Sequence, residues 1–147
     1  MEIKVKIKVL RESTQLPRYS TGGSAACDLC AATDAPVEIA PRGLVSVPSG
    51  IAIELPDEEY VALVFARSGL GIKHGICLSN GVGVIDSDYR GEICVGLTNL
   101  SDKPYTLMPN ERMAQLMIVP VCRAAFEMTQ SLSDTERGAG GFGSTGR

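Results

Sequence analysis

The apolar residues of this chain recur at every second position or in short runs, and nowhere hold a helical face for twelve residues without meeting a glycine or proline. Such a pattern admits strands and tight turns and leaves little room for helix. The segments 3–9, 25–31, 37–39, 44–47, 50–55, 60–66, 83–85, 92–99 and 112–120 are the expected strands, each bounded by Gly, Pro, Asn, Asp or another turn former. At 147 residues, 44% apolar and 21% charged, one hydrophobic core is within reach, so residues 1–128 are expected to form a single all-β barrel or jelly roll.

The formal net charge of −3 gives the surface no general attraction for nucleic acid or an anionic membrane, so any bound anion must be met by local cations. The opening "MEIKVKIKVL" alternates lysines with Ile3, Val5, Ile7 and Val9, which suits a half-buried strand and not a secretory signal. The longest wholly apolar run, "VALVFA" at 61–66, is far shorter than a membrane span, and a cytoplasmic protein is expected. Five cysteines, an odd number, speak for reduced thiols over a disulfide framework. No internal repeat is visible.

From Thr129 onward the chain turns to Ser, Thr, Gly and charge, and five of the sixteen glycines fall in its last ten positions. This stretch, 129–147, has too little apolar area to offset the entropy of ordering, so a flexible arm is expected. Its "GAGGFG" has the spacing of a dinucleotide fingerprint, but only four residues follow Gly143 and no helix can form there. It also imitates a phosphate loop, with Ser144 where the lysine should stand. Glycine backbone N–H groups, the Ser144 and Thr145 hydroxyls, Arg137 and the Phe142 ring nonetheless supply what a phosphate and a base require. A plain solvated tail is the alternative.

Four internal stretches carry the remaining chemistry. "CDLC" and "HGIC" have metal-knuckle spacing, but "AACDLCAA" reads as a strand, where Cys27 and Cys30 point to opposite faces and behave as buried thiols. "ARSGLG" sets Arg67 and Ser68 just beyond an apolar strand, as a turn or as a phosphate site using the forked donors of arginine. "NGVGVIDSDYRGE" reads as a hairpin whose Asp86 follows "VGVI" directly, where a carboxylate can be held to orient a water or face a metal. "NERMAQLMIVPV" places Arg112 and Gln115 around an otherwise apolar strand.

Taken in order, "AACDLCAA", "ARSGLGIKHGI", "NGVGVIDSDYRGE", "ERMAQLMIVPV" and "RGAGGFGSTG" resemble the five motifs of the trimeric dUTPase family, across roughly residues 24 to 146. The resemblance implies a β jelly roll assembled as a homotrimer with active sites shared between subunits. It also implies hydrolysis of dUTP to dUMP and pyrophosphate, limiting dUTP and supplying dUMP for thymidylate synthesis, with Mg²⁺ on the triphosphate. By the same resemblance Asp86 activates the attacking water. Tyr89 packs under the deoxyribose, while Asn80 and Gly83 belong to the segment that reads uracil. Arg67, Ser68, Gly69 and Gln115 bind phosphates, and Asp28 supports the metal through water. In the arm, Arg137, Gly143, Ser144 and Thr145 hold the γ-phosphate and Phe142 stacks on the base as the arm closes.

The chain departs from that pattern at Cys27 and Cys30, which stand where aromatic residues are common. Two rivals remain in view. A dCTP deaminase of the same superfamily would need a glutamate three residues before Asn99, and Gly96 stands there. A regulatory module that binds dUTP without cleaving it would not need Asp86 and Ser68 together with a complete arm.

Overall fold

The computed structural model of the chain describes residues 2–141. In order along the chain, the strands are β1 (Lys6–Val9), β2 (Cys27–Cys30), β3 (Val37–Ile39), β4 (Leu44–Pro48), β5 (Ile51–Glu54) and β6 (Tyr60–Ala66). A helix, α1 (Ser68–His74), follows, and then β7 (Ile76–Leu78), β8 (Gly83–Ile85), β9 (Cys94–Asn99), β10 (Tyr105–Leu107) and β11 (Arg112–Pro120). The result is an all-β jelly roll whose helix, among the described residues, is confined to those seven.

Four antiparallel groups make the barrel, in the orders β2-β11-β6-β8, β4-β9-β7, β1-β5 and β10-β3. The nine-residue β11 lies between β2 and β6, a position its Met, Leu, Ile and Val residues suit because both flanks and one face are occupied. Alternation sends Leu29, Val64, Ala114 and Leu116 inward to join Ile39, Val47, Ile51, Ile93, Leu97 and Leu107 in the core. Each such leucine or isoleucine contributes about 1.5–3 kcal/mol through burial.

The opposite face of the same sheet carries Asp28 and Gln115, paired across β2 and β11, and Phe65, paired with Gln115 across β6. Along it also run Val61, Leu63, Met117, Val119 and Val84, which a single chain leaves partly or largely exposed.

Several expectations shift. The stretch after Arg67 is a helix, not a turn, because Gly75 at φ 69° closes it and donates its N–H to Gly71 O while Lys73 and His74 occupy the last turn. Strands β7 and β10 are new, each only three residues long. Strand β1 begins at Lys6 and is exposed throughout, because its partner β5 covers one edge and nothing in a single chain covers its faces. The segment of Asp86 is no hairpin either: β8 pairs with β6, whereas β9 pairs with β4 and β7.

Candidate active site

Asp28 sits on β2 with its side chain only 9% exposed, among cations. Arg67 Nε lies 3.2 Å from Oδ1, and Arg112 Nη1 and Ser20 Oγ donate to Oδ2, both at 3.1 Å. The Arg67 guanidinium is fixed a second time, donating from Nη1 to the carbonyl of Arg112 at 3.0 Å. The backbone is tied as well, since Asp28 N donates to Arg18 O at 3.0 Å. A carboxylate held by two arginines offsets their mutual repulsion and sets both guanidinium planes.

Gln115, directly across from Asp28 in the register, lies on the same face, and cross-strand neighbours of this kind have Cβ atoms about 5 Å apart. Arg67 is also the residue that opens α1. Ser68 and Gly69 form the exposed first turn, and no side chain caps their N–H groups. Open space surrounds the α-carbon of Gly69. Behind this group, Tyr105 donates its phenol to Glu111, and its pKa is pushed up to about 12, first by burial and then by that carboxylate. His74 packs against the Tyr105 ring at 5.0 Å, which gives the sole histidine a packing role at the end of α1.

Asp86 and Tyr89 form a second group. Asp86 follows β8 directly and is exposed, and Tyr89 N donates to Asp86 O at 3.1 Å to close a turn. Both line a cavity of about 230 Å³ with Val84, Ile85, Glu92, Ile93 and Cys94. Burial and the neighbouring Glu92 push the Cys94 thiol up. Asn80 and Gly81, the latter at φ 76°, lie in the loop before β8. Gly83 is buried against Val64, where a Cβ would come within 3.0 Å of the Val64 Cβ.

The two groups do not meet within one chain. Ile85 pairs with Ala62 near the start of β6, whereas Arg67 lies past its other end at Ala66. At about 3.3 Å per residue, Asp86 and Arg67 are roughly 15–20 Å apart along the strand. Arg137 is exposed and donates from Nε to Gly140 O at 2.9 Å in a turn of the arm. The expected contacts of Phe142, Gly143, Ser144 and Thr145 lie outside the described residues.

Among the described residues no three His, Cys, Asp or Glu side chains gather as metal ligands. Cys27 is buried and donates to Leu116 O at 3.3 Å, whereas Cys30, expected to be buried too, is only partly so, and burial raises both thiols. A magnesium ion fits only one arrangement. Asp28 Oδ1 is buried and lacks a well-directed hydrogen bond, so it could accept one from the water shell of an ion carried mainly by phosphates.

Two features escaped the sequence. Ser20, eight residues before Asp28, completes the Asp28 cluster unannounced, and Arg112, singled out beside Gln115, turns out to be its second arginine. Glu92 is gripped by Arg11 through bonds of 2.8 and 2.9 Å. The apolar pattern predicts no helix after Arg67, although Lys-His-Gly is a helix stop signal that points to the end of α1. Gly96 also weighs against the deaminase, because a Cβ there would lie 2.5 Å from Ser79 Oγ. Asn99 is buried with its amide donating to Ile39 O and Lys103 O, a structural use.

The dUTPase family profile matches residues 12–146. A deoxyuridine 5'-triphosphate nucleotidohydrolase of Burkholderia mallei (strain SAVP1) is 51% identical over all of this chain and 99% of its own length. One of the same description from Thiobacillus denitrificans is also 51% identical with the same coverage. Among solved structures, Staphylococcus bacteriophage 80alpha dUTPase with dUPNHPP superposes with a TM-score of 0.89 at 25% identity, over 98% of this chain and 99% of that one. A dUTPase from phage phi11 of S. aureus, described with a structural Mg(II) ion, gives 0.80 at 20% identity over 89% of this chain and 99% of that one.

Proposed function

As a member of the dUTPase family, the chain is a dUTP diphosphatase, and we propose that it builds each active site from more than one copy of itself. The separation of Asp86 from Arg67 at opposite ends of β6 carries this reading. Neither half can act on one triphosphate alone, but a ring of copies brings the end of one chain's β8 to the next chain's arginines. The outward face of Val61, Leu63, Phe65, Met117, Val119 and Val84 supports it, since such an apolar surface calls for a partner. A homotrimer with shared sites satisfies both.

In that arrangement Arg67, with the free N–H groups of Ser68 and Gly69 and the Gln115 amide, holds the phosphates. Asp28 keeps Arg67 aimed before substrate arrives. Asp28, through its unbonded Oδ1, would hold the water shell of a Mg²⁺ ion brought by the triphosphate, and the ion would supply neutralisation of phosphate charge.

Asp86 accepts a proton from a water as that water's oxygen bonds to the α-phosphorus. The bond from the α-phosphorus to the α–β bridging oxygen breaks, leaving dUMP and pyrophosphate. Tyr89 closes the space beside the deoxyribose where a 2'-hydroxyl would sit. Asn80 and the backbone around Gly83 read uracil. The arm, 129–147, folds over the nucleotide through Arg137, Phe142, Gly143, Ser144 and Thr145, and ordering only on binding lets it release product.

Five unbonded cysteines suit a reducing compartment, and the enzyme is read as cytoplasmic. Among the described residues no helix is long and apolar enough to cross a membrane.

Product analysis with magnesium and each of dUTP, UTP, dTTP and dCTP tests this selectivity. Equal amounts of dUMP and pyrophosphate from dUTP, with little from the others, is the expected result. Comparable cleavage of UTP would remove the role given to Tyr89, and ammonia from dCTP would restore the deaminase.

A further inference from the structure

The Tyr89 ring does not hold its own orientation. It is 45% exposed, and its hydroxyl donates to the carbonyl of Glu92 at 3.0 Å. The ring lies directly over Gly91, where a Cβ would come within 2.5 Å of Tyr89 Cζ and closer still to the hydroxyl. Its position therefore depends on where the Gly91–Glu92 backbone is held.

That backbone is held by the far end of the chain. The Glu92 carboxylate accepts from Arg11 Nε at 2.8 Å, from Arg11 Nη2 at 2.9 Å and from Gly50 N at 3.0 Å. Gly50 adopts φ 74°, and a Cβ there would meet Ala32 Cβ at 2.8 Å, so the position requires glycine. Next along, Ile93 N donates to Ile51 O at 2.9 Å, and Ser49 donates to Ile93 O from its hydroxyl at 2.6 Å and from its N–H at 3.0 Å. Hydrogen bonding to Arg11 holds the Glu92 carboxyl below its ordinary value, so the pair is ionised and forked at neutral pH.

We propose that Arg11 and Glu92 are positioning residues for sugar selectivity: by fixing the Glu92 carbonyl, the Arg11–Glu92 pair sets the Tyr89 ring at the distance that admits deoxyribose and excludes ribose. The inference rests on the reading of Tyr89 given above and adds residues that touch neither substrate nor reacting atoms. Steric exclusion of a single hydroxyl needs a wall that cannot yield by a fraction of an ångström. A phenol on an unsupported loop would yield.

The test is a cycle of Arg11→Ala, Tyr89→Phe and the double variant, each assayed as the ratio of kcat/KM for dUTP to that for UTP. Arg11 is a partly exposed side chain, so these variants are expected to fold. Each single change should lower the dUTP preference by on the order of tenfold, and the double variant by about tenfold and not a hundredfold, since both remove one device. Arg11→Lys, which keeps the charge and loses the fork, should fall between wild type and Arg11→Ala.

An unchanged ratio in Arg11→Ala, or losses that multiply in the double variant, would overturn the proposal. Tyr89→Ala separates the two levels. If it leaves the ratio untouched, the reading of Tyr89 itself has failed. If it collapses the ratio while Arg11→Ala does not, only the positioning role has failed.

Discussion

The half-site around Asp28 and the half-site around Asp86 belong to one sheet and differ in almost everything else. Asp28 is buried and clamped by Arg67, Arg112 and Ser20. Asp86 is exposed, and among the described residues its only hydrogen bond is the one its carbonyl accepts from Tyr89 N within its turn. Anion binding rewards groups fixed in advance, because an arginine that must be ordered on binding gives back entropy that would otherwise become affinity. A base that must take a proton and return it to solvent is better placed at an open strand end. On the proposed reading the sheet separates holding from reacting, and the outward apolar face gives a reason for the two to meet between copies.

The largest expected effect is at the reacting half. Asp86→Asn should bind dUTP and lose about 10²–10⁴-fold in turnover, the range carried by a positioned base, with an unchanged unfolding midpoint. Near-normal release of pyrophosphate from that variant would break the contrast. Next comes a mixing experiment. Asp86→Asn chains and Arg67→Ala chains, each inactive alone, should regain activity at about a quarter of their sites when unfolded together and refolded, if neighbouring chains complete each other in a ring. No recovery would mean that each chain serves itself.

Deleting 138–147 should leave both halves folded and slow turnover by roughly 10–100-fold, because closure over the triphosphate is lost. Circular dichroism and steady-state rates would report it, and an undiminished rate would make the arm a spacer. Asp28→Asn should differ from Asp86→Asn by weakening dUTP binding, because Arg67 loses the carboxylate that aims it, and by lowering stability as well. Leaving Arg67 and Arg112 without their carboxylate should cost about 2 kcal/mol of unfolding free energy, read from denaturant titration, below the usual figure for a buried pair because Arg112 is half exposed.

The smallest effect is a pH dependence. The Glu92 carboxyl is held below its ordinary value of 4.5, chiefly by Arg11. Its contribution is therefore complete above that value and is lost as pH falls through the lower folded value. Thermal melts of wild type and Glu92→Gln should differ at pH 7 and converge as pH falls through the lowered folded value of Glu92.

How much of this was legible follows from what is local. Alternation located β6 and, along most of its length, β11, and short apolar runs between turn formers located β8. Asp86 stood out for the same reason, a charge at the end of an apolar strand. The short β7 and β10 follow a helix end and a turn, "IKHGICLSNG" and "SDKPYTLMPN", whose Gly, Asn, Asp and Pro residues masked three apolar-rich positions each. The pairing of β8 with β6 instead of β9 was hidden, since adjacency in sequence favours a hairpin and only the register excludes it. The clamp on Asp28 draws on Ser20, Arg67 and Arg112, and Glu92 draws on Arg11, 81 positions away. Contacts of that reach leave no periodicity to read.

Placing the two halves at opposite ends of β6 has a genetic consequence. If copies share sites as proposed, a chain that folds but carries a dead Asp86 would still enter the assembly, and there it would silence a pocket whose arginines belong to a sound neighbour. Lesions of that kind should act as dominant in a cell with one good allele, whereas lesions that unfold the barrel should be recessive.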